Sequence, residues 1–187
     1  MLTVLLILAA VILLILVAGL IAKKEYELQR SIVIDCPRAE VFDYIRHLKN
    51  QDLYSKWVMT DPEMKKTFTG TDGTEGFIYA WDGNKKAGKG EQEITGIREN
   101  ERLDVEVRFE KPFASIAQLP MTTETTGNGQ TKLTWGMQGR SSFPLNLMNL
   151  VIMGMLKKDM DISLQNLKTI LEKKAADRAM PATAYSS

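Results

Sequence analysis

His47 is the sole histidine of the chain, so a nucleophile–imidazole–carboxylate relay could run only through it. It sits between Arg46 and Lys49 near the end of a short predicted helix, where a solvated or helix-capping imidazole is the expected state. A lone histidine, a single cysteine (Cys36) and the lack of any carboxylate run with calcium-loop spacing leave no expected metal site, no cofactor site and no internal disulfide. The glycines at 70, 73, 76, 83, 88 and 90 precede turns and strands, not a helix, so they read as hairpin turns and sheet bends and not as a phosphate cradle. Glu91, Glu93 and Asp104 could act as general bases if they faced an apolar cavity, where desolvation raises a carboxyl pKa. Alternation turns Asp104 outward, opposite in sense to Leu103 and Val105, whereas the glycines before Glu91 and Glu93 permit a bulge that would reverse their facing. Tyr79 could donate a proton to a polarised carbonyl, although a structural hydrogen bond is the commoner role of a buried tyrosine. No catalytic set emerges from these residues.

The elements that would have to position such groups begin after residue 22. Met1 to Ala22 carries no charge, and Thr3 is its only polar side chain. As a helix it would span about 33 Å, against about 30 Å of hydrocarbon, so residues 1–22 are expected to form one transmembrane anchor. A cleaved signal peptide is the competing reading, but it wants a basic start and a shorter apolar stretch. Lys23, Lys24 and Arg30 crowd the C-terminal flank, which by the positive-inside tendency puts the following domain on the cytoplasmic side. The 24 basic and 23 acidic residues nearly cancel, which favours neither nucleic acid nor an acidic partner.

Tyr26 to Asp35 ends in the β-branched run Ile32-Val33-Ile34 and predicts a first strand. Pro37 opens a short helix through about Leu48, with Val41, Phe42, Ile45 and Leu48 at helical spacing, and a second short turn carries Leu53, Tyr54 and Trp57. From Lys65 to Arg140, short stretches are separated by Thr-Asp-Gly, Asp-Gly-Asn, Glu-Asn-Glu and Gly-Asn-Gly, the turn chemistry of an antiparallel meander. Leu103, Val105, Val107 and Phe109 form one face of the clearest strand, and Leu133, Trp135 and Met137 repeat the pattern. Ala117, Leu119 and Met121, and then Phe77, Tyr79 and Trp81, supply two further apolar rows. After Phe143-Pro144, a stripe from Leu147 to Leu171 predicts a helix of up to about 30 residues, long enough to cross a whole sheet. The small, polar stretch from 175 to 187 is expected to be a disordered tail, leaving one domain over 23–174.

The order of strand, two short helices, six-strand meander and long helix resembles the START-like superfamily of helix-grip domains, also labelled polyketide cyclase/dehydrase or SRPBCC. Cys36 to Ile45 looks like the group's opening P-A-E-V-F-x-x-I, and Tyr79-Ala80-Trp81-Asp82-Gly83-Asn84 with Gly88-Lys89-Gly90 looks like its Y-x-W-x-G-N hairpin. Lys111-Pro112-Phe113, Thr134-Trp135 and Asn166-Leu167-Lys168 also fall where that group places them. The resemblance implies an α+β fold in which a curved antiparallel sheet of about seven strands wraps around the C-terminal helix. It also implies an apolar cavity between the two that holds a hydrophobic small molecule or lipid.

The residues expected to line that cavity from the sheet side are Trp57, Tyr79, Trp81, Phe109, Leu119, Met121, Trp135 and Met137. Met148, Val151, Ile152, Met155 and Leu156 would cover them from the helix. Ten methionines, five of them between Met137 and Met160, suit an adaptable lining. The same residues would serve a packed core equally well. Three functions follow: a membrane-anchored binding protein for a hydrophobic molecule, a cyclase-, dehydratase- or hydrolase-type enzyme working in the same cavity, or a protein-interaction module with a filled core.

Overall fold

The computed structural model describes residues 1–141, 143 and 145–179, with side chains at all of these except 11, 12, 18, 145, 150, 151 and 179. Helix α1 (Leu2–Ile21) leads within a few residues into strand β1 (Glu25–Ile34), then α2 (Arg38–Arg46) and the short α3 (Gln51–Tyr54). Strands β2 (Lys65–Thr69), β3 (Ile78–Asp82), β4 (Lys89–Arg98), β5 (Arg102–Lys111), β6 (Ser115–Thr125) and β7 (Thr131–Arg140) follow as a meander, and α4 (Asn149–Ala179) closes the fold. All pairings are antiparallel in the order β1-β7-β6-β5-β4-β3-β2, so the first strand returns to pair with the last. This is the helix-grip arrangement: a curved sheet with one long helix across it.

Because neighbouring strands alternate in direction, the sheet has two distinct ends. At one, which we term the near end, β1 begins opposite the end of β7 (Glu25 across from Arg140), and the hairpins 83–88 and 112–114 turn. The far end carries the hairpins 99–101 and 126–130 and the link from β1 to α2. Asn100 (φ 59°) and Asn128 (φ 68°) take the left-handed conformations those far turns need, a role asparagine tolerates better than other side chains. Val41, Phe42 and Ile45 of α2 are fully buried and close this end, joined by Leu48. The Thr131 hydroxyl donates to the Cys36 carbonyl at 2.7 Å, and Arg38 Nε donates to the Thr123 hydroxyl at 3.3 Å, fastening the start of α2 to the sheet.

Helix α2 stops at Arg46, short of the predicted Leu48, because His47 turns extended and the Leu48 N–H donates to the Asp72 carboxylate at 2.8 Å instead of to the preceding helical turn. The long helix is preceded by a 3₁₀ turn at Leu145–Met148. It continues through 175–179, where the sequence reading expected a disordered tail; the rest of that expected tail, 180–187, lies outside the described residues. The second half of α4 is locked in place. Met160, Leu164, Leu167 and Leu171 are buried, Arg30 holds Asp161 through two bonds of 2.6 Å, and Lys168 Nζ donates to the Val33 carbonyl at 2.8 Å. Lys56 N donates to the Ser163 hydroxyl at 2.9 Å, tying the α3 connection to the same helix.

Helix α1 is long and apolar enough to cross a membrane, with a mean hydropathy of 3.5 over its best window, and most of its side chains are exposed. Its last turn is attached to the domain. Asn146 Nδ2 donates to the Gly19 carbonyl at 2.7 Å and to the Ala22 carbonyl at 3.1 Å, two groups a helix C-terminus otherwise leaves open. Gly19 allows this contact: a Cβ there would fall 2.7 Å from the Phe143 ring and 3.2 Å from Leu147. One step further on, Ser141 N donates to the Lys24 carbonyl at 2.8 Å.

Candidate ligand-binding cavity

Between the inner face of the sheet and the first turns of α4 lies a cavity of about 750 Å³, within the range of small-ligand sites. Strand alternation builds its wall: Tyr79 and Trp81 come from β3, Gln92 from β4, Val107 and Phe109 from β5, Leu119 from β6, and Trp135 and Met137 from β7. Residues Gln51, Ser55 and Trp57 close one side, and Met148, Ile152, Met153, Met155 and Leu156 cover the other at the helical intervals of three and four. Edge-to-face aromatic pairs stiffen the wall, with ring centroids 5.5 Å apart for Trp57 and Trp135 and 6.0 Å for Trp81 and Phe109. Gly90 lets Trp81 lie across β4, since a Cβ there would be 2.9 Å from the indole ring, and the Trp81 N–H is taken by the Ala87 carbonyl at 3.1 Å.

Of the residues expected on the cavity, Trp57, Tyr79, Trp81, Phe109, Leu119, Trp135, Met137, Met148, Ile152, Met155 and Leu156 stand on its wall. Met121 does not: it is buried opposite Trp135 and Leu103, one step further toward the far end than Leu119, and packs into the core. Val151 lies in α4, but its side chain is outside the described residues. Sequence reasoning missed Tyr26, Gln51, Gln92, Phe113 and Asn149, all on the wall. Gln92 was legible in principle, because it occupies the same alternating row as Gly90 and Ile94. Gln51 carries no local signal, since its place depends on how α3 packs, and Asn149 shows only as a polar residue within an apolar run.

The polar groups fall into three sets. Gln92 Nε2 donates to Gln51 Oε1 at 3.1 Å, a buried amide pair on the cavity wall. The Tyr79 hydroxyl donates to Asp52 Oδ1 at 2.7 Å, and Asp52 Oδ2 pairs with Lys66 at 2.8 Å. Burial first, and then that bond to Asp52, push the Tyr79 phenol well above its ordinary value, so it is a poor proton donor to anything in the cavity. The third set has no partner among the described residues: the buried Trp135 indole N–H and the Asn149 Nδ2, both from wall residues. Asn149 Oδ1 is already engaged by the Ser141 hydroxyl at 2.8 Å.

The carboxylates raised as candidate bases point elsewhere. Glu91 and Glu93 occupy the opposite face of β4 from Gly90, Gln92 and Ile94, and both are held by Arg108, at 2.8 Å and 2.6 Å, with Glu106 joining at 2.7 Å. Those bonds hold the Arg108 guanidinium above its usual range, and the bond from Arg108, followed by that from Gln118, holds the Glu106 carboxyl below its own. Register breaks occur between Lys89 and Gly90 and between Ile94 and Gly96, but the alternation from Gly90 to Ile94 is unbroken and keeps both glutamates on the face opposite Gln92. Asp104 is outward too, paired with Arg102 at 2.7 Å. His47 is half-buried, and its Nδ1 lies 2.7 Å from the Asp43 carbonyl, the helix-end arrangement expected of it.

The family described as polyketide cyclase / dehydrase and lipid transport matches residues 26–172, and the chain belongs to that family. Its fold recurs in solved structures of low sequence identity. Norcoclaurine synthase from Thalictrum flavum, in complex with dopamine and hydroxybenzaldehyde, superposes with a TM-score of 0.63 at 7% identity, covering 88% of this chain and 94% of that one. Ara h 8.0201 gives 0.57 at 14% identity, covering 79% and 97%. The Aha1 dimer from Colwellia psychrerythraea gives 0.56 at 13%, covering 79% and 96%. No curated protein matches the sequence.

Proposed function

We propose that this protein is a membrane-tethered binding protein that holds a hydrophobic small molecule or lipid in the cavity between sheet and α4. The observation that carries the reading is the cavity itself: about 750 Å³, walled mostly by aromatic, aliphatic and methionine side chains. Such a lining suits a ligand that is apolar over most of its length. A cavity of this size speaks for binding over a filled interaction module, and the outward placement of Glu91, Glu93 and Asp104 deprives the enzyme reading of the bases the sequence offered it.

Native mass spectrometry of the full-length protein released from mild detergent tests the binding. A retained mass increment is the expected result. A ligand-free spectrum across preparations from native membranes would refute it. The tether is tested separately: the full chain should stay with membranes after a carbonate wash, and recovery of a shortened soluble chain from cells would make residues 1–22 a signal peptide instead. The flanking Lys23 and Lys24 support a cytoplasmic domain. An impermeant thiol reagent should accordingly leave Ser186→Cys unlabelled in intact cells.

A further inference from the structure

Helix α1 has 20 residues, about 30 Å of helix, which matches the hydrocarbon thickness and leaves no slack. Its last turn, Gly19 to Ile21, must then lie where hydrocarbon meets headgroups. Asn146, Phe143 and Leu147 touch that turn, and Met148, the next residue, is on the cavity wall. From the other direction, the link from Ile21 to Glu25 spans at most roughly 14 Å, and Glu25 faces Arg140, which also lines the cavity. Both routes bring the near end of the sheet to the same surface. Phe113, Met148 and Met155, all on the cavity wall, are exposed by 53%, 45% and 57%, so large apolar side chains face outward there. Lys23, Lys24 and Lys111 are exposed at this end and form no ion pair among the described residues, while Glu25 and Asp159 are acidic neighbours.

We infer that the cavity opens onto the bilayer that α1 crosses, with Phe113, Met148 and Met155 seated in the interface, and that its ligand is an acyl-chain lipid exchanged with that bilayer without crossing water. This rests on the membrane-tethered reading above. The Asn146 clasp sets the angle: without it the domain would swing on the short link, and with it the mouth is turned toward the lipid. Apolar and aromatic side chains with lysines beside them are the composition such an interface takes.

Depth-dependent quenching on the full chain, carrying Cys36→Ala and placed in phosphatidylcholine–phosphatidylglycerol nanodiscs, tests this. A single NBD label is attached at Phe113→Cys, Met155→Cys, Leu8→Cys or Gly127→Cys. Gly127 stands at the far end of β6, whose 11 residues put it roughly 35 Å from the mouth, and a side chain there meets open space. Phosphatidylcholine doxyl-labelled near the headgroup should quench the labels at 113 and 155 at least twofold and leave 127 untouched, while doxyl deep in the chain quenches the label at 8. Unquenched labels at 113 and 155 beside a quenched label at 8 would overturn the inference and leave the tether standing. An unquenched label at 8 would overturn both. Asn146→Ala should halve the quenching at 113 and spare that at 8; no change at 113 would overturn the role given to the clasp. All three tryptophans, Trp57, Trp81 and Trp135, line the cavity, so in the unlabelled protein a doxyl lipid that enters should dim intrinsic fluorescence by at least a third. Unchanged tryptophan emission beside quenched rim labels would overturn lipid as the ligand without touching the binding of some other small molecule, which the mass spectrum reads.

Discussion

The two halves of α4 are built from the same kinds of residue and do different things. From Met160 to Leu171 the inward side chains Met160, Leu164, Leu167 and Leu171 are no more than 4% exposed, packed into one core with Ile34, Phe42 and Ile45. From Met148 to Leu156 the corresponding side chains border open space, and Met155 is 57% exposed. An apolar stripe thus marks surface that water should not touch, without saying whether protein or ligand does the covering. The division follows the sheet: α2 and its buried residues occupy the far end, and among the described residues no second helix fills the near one.

Truncation should separate the halves most clearly. Leu167→Ala is expected to lower unfolding stability by about 2–5 kcal/mol, the usual cost of a cavity in a packed core, whereas Met155→Ala should cost under about 1 kcal/mol by denaturant titration in detergent. Equal costs would erase the distinction. Enlargement is the converse: Met155→Trp should leave stability within about 1 kcal/mol, where a packed site would lose about 1–3 kcal/mol, and should abolish the ligand mass increment. A smaller effect belongs to the outer face of the sheet. Glu93→Gln breaks one partly exposed ion pair of Arg108, for about 0.5–1 kcal/mol, and should not alter ligand binding at all. Loss of binding in that variant would put Glu93 back in contention as a cavity group.

A separate effect is a dependence on pH confined to the closed end. Burial, and then the Glu40 carboxylate that accepts from its thiol, push Cys36 up to about 12 from an ordinary 9.0. The unfolded chain therefore gives up this proton first, so stability falls as pH rises through that interval, and nothing is lost below it. Cys36→Ala should flatten this part of the alkaline stability curve. At pH 8 the native thiol should resist iodoacetamide while the denatured one reacts.

Much of this architecture was legible in the residues themselves. Strict alternation in Leu103 to Phe109, turn residues at 71–73, 82–84, 99–101 and 127–129, and a helical stripe after 147 are local signals, and each became the element it implied. The site was legible only where it reused those signals. Trp81, Phe109 and Trp135 face the cavity because alternation turns them inward, but alternation cannot say how far along a strand the cavity extends, and so it grouped Met121 with Met137. The Gln51–Gln92 pair and the Asn146 clasp join residues 41 and 127 positions apart, and no periodicity encodes such meetings. Asn146 and Asn149 did interrupt an apolar run, and a polar residue in such a place is a sign worth following.

Strand β1 leaves α1 almost at once and pairs rung by rung with β7 along all ten residues, from Glu25 with Arg140 to Ile34 with Thr131. Its direction runs away from α1, so a pull transmitted from α1 acts along the strand and across the hydrogen bonds joining it to β7. Tension is shared by the whole ladder at once, as in a lap joint, and does not open it one rung at a time as in a zipper. A force strong enough to part this seam would have to shear the sheet at the very strand on which α4 rests.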